Sequence, residues 1–275
     1  MSAAPAYAKI NLALVVGGRR DDGKHDVVTV LQRIDLHDTI SVDAADALVV
    51  EGFAEDTIVR AALETLASVS GRKPRWRVRI VKRIPVAAGL GGGSSDAATA
   101  LLLANAAFDQ PLAGEELHEV ASRIGVDVPF FLRPGPQLGR GDGTQLEPLV
   151  LPTAYSVVLV VPTDRQKDST GAVYAEFDGR RDANGFGDRA AALAAALASV
   201  RTERDLAILP RNDLASSPLA SELENAGAFR ADVSGAGPTV YGLFEDHDVA
   251  VQAAASLSGA GQTLVTRPVE AVELA

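Results

Sequence analysis

Apolar and polar positions alternate along this chain with two periods, and the switches between them outline its elements. Residues 8–16 read as a strand that places Lys9 and Asn11 on one face. Asp21-Asp22-Gly23 is turn chemistry, and residues 27–34 and 38–42 read as two further strands. Residues 56–68 have helical character, whereas Trp76-Arg77-Val78-Arg79-Ile80-Val81 alternates as a half-buried strand does. A glycine-rich stretch at 84–98 then runs into Ala97-Ala98-Thr99-Ala100-Leu101-Leu102-Leu103-Ala104, which has good helix-forming composition. Residues 114–124 give a second helix, and 125–131 leave it as a buried segment. Residues 133–144, rich in Gly and Pro, read as a loop, and 155–161 as a buried strand. The polar stretch 163–188 is the expected domain junction and mobile segment. An Ala-rich helix over 188–207, a glycine turn entering a strand over 233–244 and a helix over 248–257 complete the chain. No internal repeat is present. Strands and helices mix without regular alternation, so the pattern predicts an α+β fold rather than a doubly wound sheet.

Composition narrows the function. The 275 residues suffice for one large domain or two small ones, and 47% hydrophobic with 23% charged residues suits a globular protein. The net charge of −10 argues against nucleic acid as a partner but leaves room for a local anion site. There is no cysteine, hence no disulfide and no thiolate chemistry. His25, His37, His118 and His247 are scattered without metal-ligand spacing. Lys9 and Asn11 interrupt the N-terminal apolar run, so it is a poor signal peptide; Asp21-Asp22 after Arg19-Arg20 argues against a twin-arginine signal. No apolar run of about 18 residues predicts a membrane span, and the cytoplasm is the expected location.

The chemistry concentrates in Ile84-Pro85-Val86-Ala87-Ala88-Gly89-Leu90-Gly91-Gly92-Gly93-Ser94-Ser95-Asp96-Ala97-Ala98. The order strand, glycine loop, helix start uncovers backbone N–H groups at a positive helix end, which suits phosphate. No Lys follows the glycines, so this is not a P-loop. Ser94 stands where a dinucleotide fingerprint needs its third small residue, and Asp96 where a nucleophile elbow needs Gly. A tight turn without ligand fits poorly, because four glycines cost backbone entropy on folding. Asp127, set among Val126, Val128 and Pro129, fits a general base or a turn cap equally well on these grounds.

The loop closely resembles the nucleotide loop of the GHMP kinases, the superfamily of galactokinase, homoserine kinase, mevalonate kinase and phosphomevalonate kinase. The resemblance runs nearly end to end. It includes Ala8-Lys9-Ile10-Asn11-Leu12, Gly18-Arg19-Arg20-Asp21-Asp22-Gly23-Lys24-His25, Gly125-Val126-Asp127-Val128-Pro129-Phe130-Phe131, Arg211-Asn212-Asp213 and Ser234-Gly235-Ala236-Gly237-Pro238-Thr239. It implies an α+β, two-domain fold, residues 1–150 and a ferredoxin-like 151–275, with the active site in the cleft between them. It implies ATP as co-substrate, held by Gly89, Leu90, Gly91, Gly92, Gly93, Ser94 and Ser95, with Lys82 and Asp56 near the adenine. Mg2+ would arrive with the nucleotide, within reach of Ser94 or Ser95. Asp127 would be the base that takes the alcohol proton, and Lys9 the cation that keeps it ionised and meets phosphoryl charge. Asn11, Lys24, His25, Tyr174, Ser234 and Gly235 would bind a small-molecule substrate.

The form of the glycine loop looks most like the branch that phosphorylates the 2-hydroxyl of 4-diphosphocytidyl-2-C-methyl-D-erythritol, in the non-mevalonate isoprenoid pathway. Three positions depart from that branch. Tyr7 replaces a proline, Lys24 an aromatic of the cytosine clamp that Tyr174 would complete, and Asp56 an asparagine near the adenine. Two alternatives therefore stay open: a kinase for homoserine or a mevalonate-like alcohol, and a nucleotide-binding regulator without turnover.

Overall fold

The computed structural model describes residues 2–163, 169–180 and 184–269. Its backbone is a long antiparallel hairpin of β1 (Ser2–Arg19) and β2 (His25–Ala44). The two strands expected over 27–34 and 38–42 are one. A bulge absorbs Asp35 and Leu36, where the register passes from Tyr7–His37 to Ala8–Ile34, so the polar interruption bends the strand instead of ending it. The far edge of β2 is shared. One half pairs with β4 (Trp76–Val81), which itself pairs in parallel with β3 (Val49–Glu51). The other half pairs with β5 (Gln137–Arg140), followed by β6 (Gln145–Pro148). β5 corrects the expectation of a loop over 133–144. The Gly and Pro signals belong to the flanking turns, while Gln137 and Leu138 are buried in the sheet.

Three helices cover this sheet: α1 (Ile58–Val69), α2 (Gly92–Ala106) and α3 (Gly114–Ile124). α1 starts later than expected, at the point where Asp56 accepts hydrogen bonds from the Val59 and Arg60 N–H groups at 3.1 and 3.2 Å. α2 is buried almost all round, which explains its run of Ala and Leu without an amphipathic stripe. Leu63, Leu66, Leu101 and Val120 pack this layer.

The second sheet has the order β10 (Gly261–Thr266), β7 (Ser156–Pro162), β9 (Val240–Phe244), β8 (Arg230–Val233), all antiparallel. α6 (Pro218–Asn225) and α7 (His247–Ser256) pack on it. The 163–188 stretch contains a helix, α4 (Thr170–Arg180), whose one fully buried side chain is Phe177; that explains its polar reading. Positions 164–168 and 181–183 of the expected mobile segment lie outside the described residues. The helix expected over 188–207 divides into α5 (Phe186–Ser199) and a 3-10 turn over Glu203–Ile208, because Asp205 accepts from the N–H groups of Arg201 and Thr202 and starts a new turn.

The two sheets share one apolar cluster, in which Ile10 and Leu12 of β1 meet Leu159, Tyr241 and Leu243. Polar fasteners lock the same contact. Buried Arg230 donates to the Leu12 carbonyl at 2.7 Å, and the Tyr241 hydroxyl to the Asn11 carbonyl at 3.0 Å. The second sheet therefore holds β1 at the very residues that carry Lys9 and Asn11. Among the described residues no helix is long and apolar enough to cross a membrane.

Candidate active site

A cleft of about 500 Å³ opens where the glycine loop, β1 and the turn after α3 converge. Gly91 begins α2 in the left-handed conformation, φ 72°, and no side chain caps the helix. Gly92, Gly93 and Ser94 thus present N–H groups for which the helix supplies no acceptor, at its positive end. The glycines are required sterically. A Cβ on Gly89, φ 81°, would lie 2.5 Å from the Ser234 carbonyl oxygen, and one on Gly91 would lie 3.0 Å from both Lys9 Cγ and Phe131 Cζ. The loop is pinned from both sheets: Lys9 N donates to the Leu90 carbonyl at 2.9 Å and Ser234 Oγ to the Gly89 carbonyl at 3.0 Å. Ser234 is fully buried, so its side chain holds the loop and does not face the cleft; Gly235 does face it. Of the two loop hydroxyls, Ser94 lines the cleft and Ser95 is buried.

Lys9 is buried with its ammonium 2.7 Å from Asn11 Oδ1 and 3.7 Å from Asp127 Oδ2. Asn11 is aimed in turn by Thr29, whose hydroxyl it meets at 2.8 Å. Asp127 sits on the turn between α3 and a 3-10 turn at Pro129–Leu132, with its side chain 39% exposed to the cleft. That turn is held from below by Arg33. This buried guanidinium donates to the carbonyls of Phe130 at 2.9 Å and Gly135 at 3.3 Å and lies 4.7 Å over the Phe130 ring. Burial lowers the Arg33 pKa to about 10, which leaves it charged at neutral pH, with no carboxylate partner among the described residues.

Lys82 also reaches the cleft, yet its ammonium is committed elsewhere. It donates to Asp38 at 2.5 Å and to Asp96 at 2.8 Å. Asp38 further accepts from the N–H groups of Arg83 and Ile84, tying the exit of β4 to β2. Asp96, one turn into α2, carries an unpartnered buried Oδ1. Its burial, opposed by Lys82 and reinforced by the charge of Asp38, pushes its carboxyl up to about 7. Asp56 borders the same end of the cleft, but its carboxylate faces the α1 backbone.

Lys24 and His25 lie apart from this group. They line a second pocket of about 330 Å³ that adjoins the cleft through Val126, Asp142, Thr170 and Tyr174. The His25 ring stacks on Tyr174 with centroids 4.7 Å apart, and its Nε2 is 2.8 Å from Asp178 Oδ1. Burial, with the charge of Asp127 nearby, pushes the Tyr174 hydroxyl up to about 12. Lys24 Nζ pairs with Asp142 Oδ2 at 2.5 Å. Burial works to raise the Asp142 carboxyl, but the hydrogen bonds from Lys24 and Thr144 outweigh it and hold it below the usual carboxylate range.

Family models match two parts of the chain: the GHMP kinases N terminal domain over residues 56–135 and the GHMP kinases C terminal domain over 180–263. The chain belongs to the GHMP kinases. Its relatives include a 4-diphosphocytidyl-2-C-methyl-D-erythritol kinase of Nocardia farcinica, 40% identical, with 93% of this chain and 89% of that protein aligned. Another of the same name, from Pelotomaculum thermopropionicum, is 38% identical over 95% and 96%. A crystal structure of 4-(cytidine 5'-diphospho)-2C-methyl-D-erythritol kinase superposes with a TM-score of 0.78 at 28% identity, covering 97% of this chain and 99% of that one. A mevalonate kinase structure superposes at 0.76 with 14% identity, a likeness of fold. As a GHMP kinase, the protein is an ATP-dependent phosphotransferase.

Several groups of this kinase escaped sequence reading. Asp38 and Asp96 clamp Lys82, Asp142 holds Lys24, Asp178 faces His25, and Arg33 braces the Asp127 turn. Some left a signal. Asp178 stands four residues after Tyr174, hence on the same helix face, and Asp142 lies between two turn glycines. Asp38 and Arg33 show only as charges in the polar interruption of β2, and nothing local names their partners.

Proposed function

We propose that this kinase transfers the γ-phosphoryl group of ATP to the 2-hydroxyl of 4-diphosphocytidyl-2-C-methyl-D-erythritol, a step of the non-mevalonate isoprenoid pathway. The observation that carries the reading is the juxtaposition of Lys9, Asp127 and the uncapped α2 N-terminus in one cleft beside a pocket walled by stacked aromatic rings. The names of full-length relatives at 38–40% identity support it. We read residues 1–150 and 151–275 as its two domains.

In this reading the N–H groups of Gly92, Gly93 and Ser94 receive the ATP phosphates, and Leu90 and Gly91 shape the approach. The helix start carries no side-chain cap and its first N–H groups border the cleft, so these residues fit a polyphosphate. Asp127 accepts the proton of the attacking hydroxyl and orients its lone pair towards the γ-phosphorus. Lys9 pairs with the Asp127 carboxylate at 3.7 Å, and its ammonium stands beside the charge that develops on the transferring group. Asn11 and Gly235 border the path of the acceptor. Mg2+ would arrive with the nucleotide and would neutralise phosphate charge; Ser94, the loop hydroxyl that lines the cleft, is the residue that would reach it, and no cluster of three acidic or histidine ligands exists among the described residues. His25 and Tyr174 receive the cytosine, and Lys82 and Asp56 flank the adenine end.

Coupled ADP release tests this with the purified chain, ATP and each alcohol in turn. Turnover with the cytidyl substrate is expected. Turnover with homoserine or mevalonate alone would replace this reading by another kinase specificity. ATP binding without ADP release under any of them would replace it by a non-catalytic regulator.

A further inference from the structure

We propose that Lys24 recognises the diphosphate of the acceptor substrate by exchanging its partner Asp142 for it. The proposal rests on the cytidyl reading above and extends it to an ion pair at the junction of the two cavities.

The pocket and the cleft meet at Val126, Asp142, Thr170 and Tyr174. A ligand with its base against Tyr174 and its alcohol at Asp127 must thread its linker past these residues. The linker of the proposed substrate is a diphosphate, and Asp142 confronts it with a like charge. Lys24 Nζ, 2.5 Å from Asp142 Oδ2, is the cation in direct contact with that carboxylate. The two partners are held very differently. Asp142 has its own support, since its Oδ1 accepts from the Thr144 N–H at 3.2 Å and the Thr144 hydroxyl at 2.7 Å. It stays hydrogen-bonded if Lys24 leaves. Lys24 is fixed only through its backbone: its N–H donates to Asp22 Oδ1 at 3.0 Å and its carbonyl accepts from the Arg20 N–H at 2.7 Å. Its side chain is 46% exposed and has no other hydrogen bond among the described residues. An ammonium on a four-carbon stem can swing from a fixed carboxylate to a phosphate without moving the hairpin. Arg19, on the same hairpin, borders the pocket and adds positive charge. Asp142 thereby becomes a selective element. A ligand that offers no anion leaves the pair closed, and a diphosphate without Lys24 meets the bare carboxylate.

The test is equilibrium binding of cytidine, CMP and CDP to the full chain by calorimetry, which needs no turnover. Wild type is expected to bind CDP at least about tenfold more tightly than cytidine, the scale of one charge-assisted hydrogen bond. Lys24→Met is expected to remove that preference while leaving cytidine affinity unchanged, Lys24→Arg to keep it, and Asp142→Asn to raise CDP affinity. A Lys24→Met protein that melts like wild type and still prefers CDP would overturn the exchange and leave the cytidyl reading intact. Failure of wild type to bind any of the three overturns both.

Discussion

At the glycine-loop end of the cleft, Lys9, Asn11, the loop and the Asp127 turn are each held from behind by a buried partner. Lys9 has Asn11, Asn11 has Thr29, the loop carbonyls have Lys9 N and Ser234 Oγ, and the Asp127 turn has Arg33. At the other end, the pocket walls come from the β1–β2 turn, the β5–β6 turn and α4, and their contacts are ion pairs and a ring stack in which His25 is buried while Lys24, Asp142, Tyr174 and Asp178 are partly exposed. The difference matches the task. Phosphoryl transfer needs atoms fixed to a fraction of an ångström, and a scaffold crossing from one sheet to the other provides that. Recognition of a base and its linker tolerates side chains that change partners on binding.

The contrast predicts that substitutions at the first end remove rate or fold, and those at the second shift affinity. Gly89→Ala has the largest expected effect. It combines a left-handed residue with a Cβ inside contact distance of two backbone carbonyls, at a cost on the order of 2–5 kcal/mol, read by urea denaturation together with loss of ADP release. Unchanged stability would show that the loop is not clamped between the sheets. Lys9→Met should lower kcat about 100-fold with little change in the KM for the acceptor, because its charge acts on the reacting groups. A pure KM effect would move Lys9 to the recognition side. Tyr174→Ala should do the reverse, raising the acceptor KM about three- to tenfold at nearly constant kcat, the scale of one lost aromatic stack.

An effect of a different kind is a pH dependence at Asp96. Its folded pKa, about 7, lies above the ordinary value of 3.8, so the native state holds a proton that the unfolded chain has lost. Its contribution is present in full below the ordinary value and disappears as pH rises through about 7. Asp96→Asn should flatten the fall of stability across that window while Lys82 keeps Asp38. Chemical denaturation at a series of pH values reads this directly, and an unchanged slope would contradict the burial argument.

The same contrast explains what was legible in the sequence. The glycine loop announced itself because its backbone demands are met by one residue type in consecutive positions. The strand alternation of Trp76–Val81 and the helix at Gly114–Ile124 were legible because each buries a single face. The helix α2 was legible from its composition although it lacks a stripe, whereas the bulged β2 and the short β5 were less so: one carries its polar residues at a bulge, and the other hides between turn signals. Within the site, the residues gathered in one local motif, such as the glycine loop, were readable. Those that act through a partner far along the chain, such as Arg33 with the Phe130 carbonyl or Asp38 with Lys82, depend on the fold that unites them.

The most direct test of the division between a fixed reaction end and an adaptable recognition end is the single-turnover phosphoryl-transfer rate of Asp127→Asn, with ATP and acceptor affinities measured on the same protein. The amide keeps the size of the side chain and removes the base. A rate reduced by about 100- to 10,000-fold at unchanged affinities is the predicted result. A rate near wild type, or a loss that appears only in acceptor affinity, would contradict the assignment of Asp127 and with it the account of the cleft.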